Sequence, residues 1–175
     1  MSASHCELLL LRHAKSDWHS GAMRDHDRPL NDRGRKAAPR MGRYLTQQNI
    51  LPQQVLCSTA LRARQTLAGL LESWPANIDV PVRFEPAIYE ASRNDLLRVI
   101  ETALSAGTRL LVIGHNPGME ELLHYLISPR TTHPRLTQGF PTCALAQICL
   151  PDKPLEPGSG HLARLEFVRQ IEDQP

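Results

Sequence analysis

Four consecutive leucines, Leu8 to Leu11, run directly into Arg12 and His13. The run is too short for a free-standing helix and is apolar on every side, so it reads as a strand covered on both faces. Strands of that kind belong to parallel sheets, whose ligands sit just beyond the carboxyl ends of the strands. A guanidinium and an imidazole at such an end constrain the fold and the chemistry together.

The rest of the chain alternates in the way a parallel sheet requires. A strand over Glu7–Leu11 is followed by a polar stretch from Lys15 to about Leu30, long for a compact domain and so either a binding segment or a solvated loop. Asn31 is placed to cap a helix to about Gln48, with Ala38, Met41 and Leu45 on one face. A short strand at Val55–Cys57 leads into a helix near Ala60–Ser73, with Ser58 or Thr59 as its cap. A short extended piece lies in Pro81–Tyr89, then a helix from Ser92 or Asn94 to Leu104, closed by Gly107. Arg109–Ile113 is a second strongly apolar strand, followed by a turn and a helix over Pro117–Ile127. Cys143–Leu150 and Leu162–Val168 read as two last strands able to pair antiparallel. The pattern predicts an α/β fold: a three-layer α/β/α sandwich with a mostly parallel central sheet and an antiparallel edge strand.

Composition narrows the class. The 175 residues suit one domain spanning 1–175, and the 41% of apolar residues is enough for its core. Twenty basic against 18 acidic residues is too even a balance to point to nucleic acid or an anionic membrane. Trp18, Trp74, Tyr44 and Phe140 are dispersed and offer no platform for stacked bases. No apolar run is long enough to span a bilayer, and Met1–His5 lacks the start of a signal peptide. Cys6, Cys57, Cys143 and Cys149 are scattered and read as reduced thiols, which makes a cytoplasmic protein the simplest expectation.

Cationic or cationisable residues recur at the strand-to-helix junctions. They are Arg12-His13, Arg62 in the second junction, and His115 in Gly114-His115-Asn116-Pro117-Gly118. A parallel sheet brings such junctions to one rim, where two guanidiniums and two imidazoles call for an anion. Phosphate suits them, because guanidinium presents paired donors matched to its oxygens. Asn116 is placed to cap the following helix, with Pro117 in its first turn, which puts His115 at the positive end of that helix. His13 has the further option of attacking phosphorus with a neutral ring nitrogen. No H-E-x-x-H or H-x-H spacing is present, so no metal and no cofactor is implied.

At this point the residues resemble a family. Leu11-Arg12-His13-Ala14-Lys15-Ser16 resembles the Arg-His-Gly signature of the histidine phosphatase superfamily, also called phosphoglycerate mutase-like. Ser58-x-x-x-Arg62-Ala63-x-Gln65-Thr66 is similar to its second arginine motif, and Ile113-Gly114-His115-Asn116 to its second histidine motif. The order and spacing match over about residues 7–170, and the wording of the first and third motifs most resembles the SixA group of phosphohistidine phosphatases. The resemblance implies that His13 is the nucleophile, that Arg12, Arg62 and His115 hold the phosphoryl oxygens, and that Ser16 contributes to the pocket. Asn116 falls in the substrate-binding motif. Ala14 stands where the signature has glycine, and His19 where several members place a phosphate-binding asparagine. The Lys15–His19 segment is therefore a candidate for substrate choice.

The leaving group separates the possible activities. An alkoxide needs a general acid, whereas imidazole, with a conjugate-acid pKa of about 6.5, leaves readily. Mutase-like members carry a glutamate after the third strand, and Glu90 falls in that region. Three readings follow. The first is a metal-independent phosphatase acting on phosphohistidine in a protein. The second is a phosphatase of a small phosphate ester, with Glu90 as acid. The third is a non-catalytic module that recognises a phosphorylated partner. Asp17, Asp25 and the run Arg24–Arg28 are expected to be solvated. A cationic His115 beside a neutral His13 is expected to make turnover fall on both the acid and the alkaline side.

Overall fold

In a computed structural model, which describes residues 6–105, 108–151 and 154–171, the leucine run lies in the middle of one six-stranded sheet. The chain order is β1 (Cys6–Arg12), α1 (Asp32–Gln47), β2 (Gln54–Ser58), α2 (Leu61–Leu71), β3 (Val82–Glu85), α3 (Arg93–Ala103), β4 (Arg109–Gly114), α4 (Gly118–Leu126), β5 (Ala144–Leu150) and β6 (His161–Phe167). The strands lie in the order β3-β2-β4-β1-β5-β6. The first four are parallel, β5 runs against β1, and β6 runs against β5. Five strands thus point one way, and β6 ends at the same rim as β1.

Leu8 to Leu11 are fully buried, and alternate leucines feed two cores. Leu8 and Leu10 pack with Leu96 and Ile100 of α3 and Met119 and Leu122 of α4. Leu9 and Leu11 pack with Met41 and Leu45 of α1 and Leu67 and Leu70 of α2. Each such leucine contributes about 2 kcal/mol of apolar burial. β1 is also hydrogen-bonded on both edges, with Leu11 opposite Ile113 of β4 and Leu145 of β5. The strand that delivers Arg12 and His13 is therefore fixed from four sides.

The helices follow from their ends. The Asn31 side chain accepts from the Gly34 amide and caps α1, as its sequence predicts. Gly34 also lies against the turn after His13: a Cβ there runs into the Lys15 carbonyl, so α1 seats directly on that turn. Ser92 and Asp95 form a capping box for α3, while the expected stop at Gly107 lies outside the described residues. Two expected caps are corrected. Ala60 holds the N-cap of α2 with no side-chain bond, and the Ser58 hydroxyl, which accepts from the Ala60 amide, also meets His115. Pro117, not Asn116, is the N-cap of α4, because the Asn116 amide is drawn to Phe140 and Glu120.

The 15–30 stretch is also more structured than a solvated loop. Its ends are closed by a bridge between Ser16 and Leu30 and by Asp17 N–H donating to the Pro29 carbonyl, and a 3-10 turn forms at Asp25–Asp27. No helix among the described residues is long and apolar enough to cross a membrane.

Candidate active site

The carboxyl ends of β1, β2 and β4 bring His13, Arg62 and His115 together. All three are at most 7% exposed. The two imidazoles lie with ring centroids 5.0 Å apart. His13 Nδ1 lies 2.7 Å from the Ala14 carbonyl oxygen, which only accepts, so Nδ1 carries the proton. The lone pair is then on Nε2, and Arg62 Nε donates to it across 3.3 Å. His115 Nε2 is 2.7 Å from Ser58 Oγ, while its Nδ1 is buried without a hydrogen-bond partner. Arg12 Nη1 donates to the Phe140 carbonyl at 2.9 Å, and its buried Nε is likewise unpartnered.

The second motif works as a splint between the others. Ser58 holds His115, and Arg62 reaches His13. The Gln65 side-chain oxygen accepts from the Leu30 amide at 2.7 Å, which fixes the end of the 15–30 segment. Thr66 Oγ1 accepts from the Ala14 amide at 3.0 Å and donates to the Arg62 carbonyl at 2.7 Å. One helical turn thus holds the reactive ring and the backbone that follows it.

Burial governs the electrostatics. Desolvation, only partly opposed by the bond to Ala14 and reinforced by the charges of Arg62, Arg12 and Arg28, pushes the His13 pKa down to about 3. Desolvation, with His13 and Arg62 beside it, pushes His115 down to about 3 as well. Both rings are therefore neutral at pH 7. This differs from the expectation of a cationic His115. The main cause is desolvation of the buried ring, to which His13 and the guanidiniums of Arg62 and Arg12 add.

The counter-charge comes from a residue expected to be solvated. Asp25 reaches in from the surface, its side chain 38% exposed. Its Oδ2 accepts from Arg62 Nη2 at 2.9 Å and Tyr89 OH at 3.0 Å, and its backbone carbonyl accepts from Arg62 Nη1 at 2.7 Å. Its Oδ1 accepts from Arg28 Nε and Nη2 at 2.9 and 2.7 Å. Partial burial opposes ionisation, but the bonds from Arg28 and Tyr89 and the charge of Arg62 hold the carboxyl at about 2. Arg28 also donates to Ser16 Oγ at 2.5 Å and lies 3.6 Å over the Trp18 ring. Tyr89 completes the wall, edge-on to His115 at 5.5 Å and to His26 at 4.9 Å.

Of the residues singled out from the sequence, His13, Arg62 and His115 converge. Arg12 and Asn116 meet at one acceptor, the Phe140 carbonyl, with Asn116 Nδ2 at 3.0 Å. Ser16 is buried against Arg28. His19 is exposed, its amide donating to Asp17, and has no contact with the imidazole pair. Glu90 is exposed at φ +50° and lies along a groove with Tyr89, Asp95 and Arg98. Asp25, Arg28, Tyr89 and Ser58 are the members that sequence reasoning missed or gave another role. The available signal was the run Arg24-Asp25-His26-Asp27-Arg28, dense in charge inside a loop whose ends turn out to be closed. Among the described residues, no group of three or more His, Cys, Asp or Glu is placed to hold a metal ion.

The chain is similar to known proteins in sequence and fold. The profile of the histidine phosphatase superfamily (branch 1) matches residues 8–97. The uncharacterized protein Rv1276c of Mycobacterium tuberculosis is 37% identical over 142 residues, 79% of this chain and 85% of its own. A SixA structure from Agrobacterium tumefaciens superposes with a TM-score of 0.77 at 28% identity, covering 92% of this chain and 97% of that one. The protein histidine phosphatase SixA complexed with tungstate has the same fold, with a TM-score of 0.78 at 24% identity over 95% and 99% of the two chains.

Proposed function

The chain belongs to the histidine phosphatase superfamily, and from that premise we propose that residues 1–175 act as one domain that removes phosphate from phosphohistidine in a protein, with His13 as nucleophile. One observation carries the reading: His13 Nδ1 is anchored to the Ala14 carbonyl, so its lone pair is on Nε2, beside Arg62 and facing the second imidazole. Nε2 attacks phosphorus, the new N–P bond forms as the substrate's N–P bond breaks, and water then hydrolyses the enzyme-bound phosphohistidine. Arg12, Arg62 and His115 stabilise charge on the phosphoryl oxygens. The two unpartnered nitrogens, His115 Nδ1 and Arg12 Nε, are open positions for those oxygens. A dianion at this point raises the His115 pKa, so that ring takes up a proton as substrate binds. The tungstate held by a SixA of the same fold, a tetrahedral oxyanion, is consistent with that use.

The leaving group favours phosphohistidine over an alkyl ester. Asp25, the carboxyl beside the pair, is held at about 2 and is ionised at neutral pH, so it donates no proton. Glu90, the acid required by the ester reading, is exposed and lies in a surface groove with Asp95 and Arg98. Imidazole leaves without a strong acid. The buried thiols of Cys57 and Cys143, raised to about 12 by desolvation, are inert and suit a reducing compartment such as the cytosol.

The test is a trapped intermediate and a substrate comparison. A phosphoryl donor followed by an alkaline quench is expected to give an acid-labile adduct on His13. His13→Ala is expected to lose adduct and turnover by roughly 10³-fold or more. Turnover of a histidine-phosphorylated protein should exceed that of p-nitrophenyl phosphate, persist in EDTA, and be unchanged in Glu90→Gln. Adduct formation in His13→Ala at the normal rate refutes the nucleophile. A selective loss on the ester in Glu90→Gln restores the ester reading, and tight phosphate binding without turnover favours the recognition module.

A further inference from the structure

The large apolar side chains of the 15–30 segment divide. Leu30 is buried, whereas Trp18 is 69% exposed and Met23 fully exposed. The backbone around Trp18 is held on both sides. Asp17 N–H donates to the Pro29 carbonyl at 2.8 Å, and His19 N–H donates to Asp17 Oδ1 at 2.8 Å. The indole ring itself meets the buried Arg28, whose Cζ lies 3.6 Å from the ring centroid. The ring is thus set in one place by its own backbone and by a cation, while most of its surface stays in water.

The same cation ties the ring to the reacting centre. Arg28 donates to Asp25 Oδ1, Asp25 Oδ2 accepts from Arg62 Nη2, and Arg62 Nε donates to His13 Nε2. Arg28, Asp25 and Arg62 thus bridge an exposed indole and a buried nucleophile. His13 is 7% exposed, so a phosphohistidine side chain has to be inserted to reach it. That side chain is short. The residues on either side of it in a polypeptide are brought against the rim of the pocket, and Trp18 stands on that rim beside Arg28.

We propose that Trp18, with Met23 farther along the same segment, binds apolar side chains next to the phosphohistidine of the substrate protein and so selects sites with apolar flanks. The proposal rests on the phosphohistidine reading and adds to it the character of the neighbouring residues. Tryptophan is prominent among the side chains that dominate contacts between proteins, and one already held in place loses little freedom when a partner covers it. Methionine is unbranched and polarizable, so it adapts to side chains of differing shape. A single phosphorylated amino acid carries no such flank. The two side chains are therefore expected to act on KM for polypeptides rather than on the chemical step.

Two synthetic peptides test this with the full-length chain. Each carries one histidine phosphorylated by phosphoramidate, flanked by leucines in one peptide and by glycines in the other. The readout is the ratio of their kcat/KM values, which a general loss of activity does not move. The full-length chain is expected to favour the leucine-flanked peptide by about tenfold, through KM, because part of the leucine surface leaves water. Trp18→Ala is expected to bring the ratio close to one, Trp18→Phe to keep most of it, and Met23→Ser to lower it by about threefold. Equal turnover of the two peptides by the unaltered chain, or a ratio preserved in Trp18→Ala, overturns the proposal and leaves the phosphohistidine reading standing. Turnover of p-nitrophenyl phosphate but of neither peptide refutes that reading, and the selection with it.

Discussion

Two cationic clusters share one rim of the sheet, and they are neutralised in opposite ways. Around His13, Arg62 and Arg28 are buried, and both are tied to the Asp25 carboxylate. Beside that pocket, Lys15 in the turn after β1 and Arg33 and Lys36 on α1 stand in solvent. Water screens charge on an exposed face, so repulsion there costs little. In a dry pocket the same repulsion is severe, and the fold supplies an internal anion. The difference teaches where charge matters to stability: Asp25 is part of the folded state's electrostatic balance, whereas the exposed charges of Arg33 and Lys36 contribute little to it.

The sharpest way to break this contrast is acid. His13 and His115 have folded pKa values near 3, below the unfolded value of about 6.5. Below pH 6.5 the unfolded chain binds protons that the folded chain refuses. Stability is therefore complete above pH 6.5 and is lost as pH falls toward 3, by up to ~1.4 kcal/mol per pH unit for each ring. Asp25, held at about 2, adds a further loss below its unfolded value. Urea denaturation at a series of pH values reads this. Stability that is flat from pH 6.5 to 4.5 removes the claim that the pocket is dry.

Asp25→Asn comes next. It leaves Arg28 and Arg62 without their counter-charge, at a cost of about 1–2 kcal/mol once the partial exposure of the carboxylate is allowed for. Saturating phosphate is expected to recover most of that loss, because a bound dianion supplies the missing charge. Equal losses with and without phosphate show that Asp25 acts through packing instead.

Ser58→Ala tests the neutral support of the pocket. It removes the hydroxyl on His115 Nε2 and is expected to cost ~1 kcal/mol, with slower adduct formation on His13. The smallest effect belongs to the other cluster. Arg33→Glu with Lys36→Glu is expected to move stability by no more than ~0.5 kcal/mol, since exposed charges contribute little. A loss as large as that of Asp25→Asn erases the distinction between the two regions.

Much of this architecture is legible in the residues. A leucine run with no polar face leaves a doubly covered strand as the natural outcome, and cations at three strand ends must share a rim once the strands are parallel. Asn31 and Ser92 act as expected because no stronger partner competes for their side chains. Ser58 and Asn116 do not, because an imidazole and a carbonyl brought in by tertiary contact claim them first. Asp25 was hidden for a related reason: a carboxylate in a polar loop has the same local sequence whether it faces water or two buried guanidiniums. Glu90 illustrates the converse. It lies one residue past Tyr89, which lines the pocket wall, but it is exposed, with its backbone at φ +50°.

The anchors of the reactive groups are largely main-chain oxygens. His13 is held by the carbonyl of Ala14, Arg62 by that of Asp25, and Arg12 with Asn116 by that of Phe140. Alanine scanning cannot delete such acceptors, and drift in side-chain identity at 14 or 140 leaves them in place. Alanine in place of the signature's glycine is tolerated for this reason. Distant relatives can therefore share this geometry with little identity at its anchor points, and an amide-to-ester replacement, rather than a change of side chain, is the perturbation that reaches it.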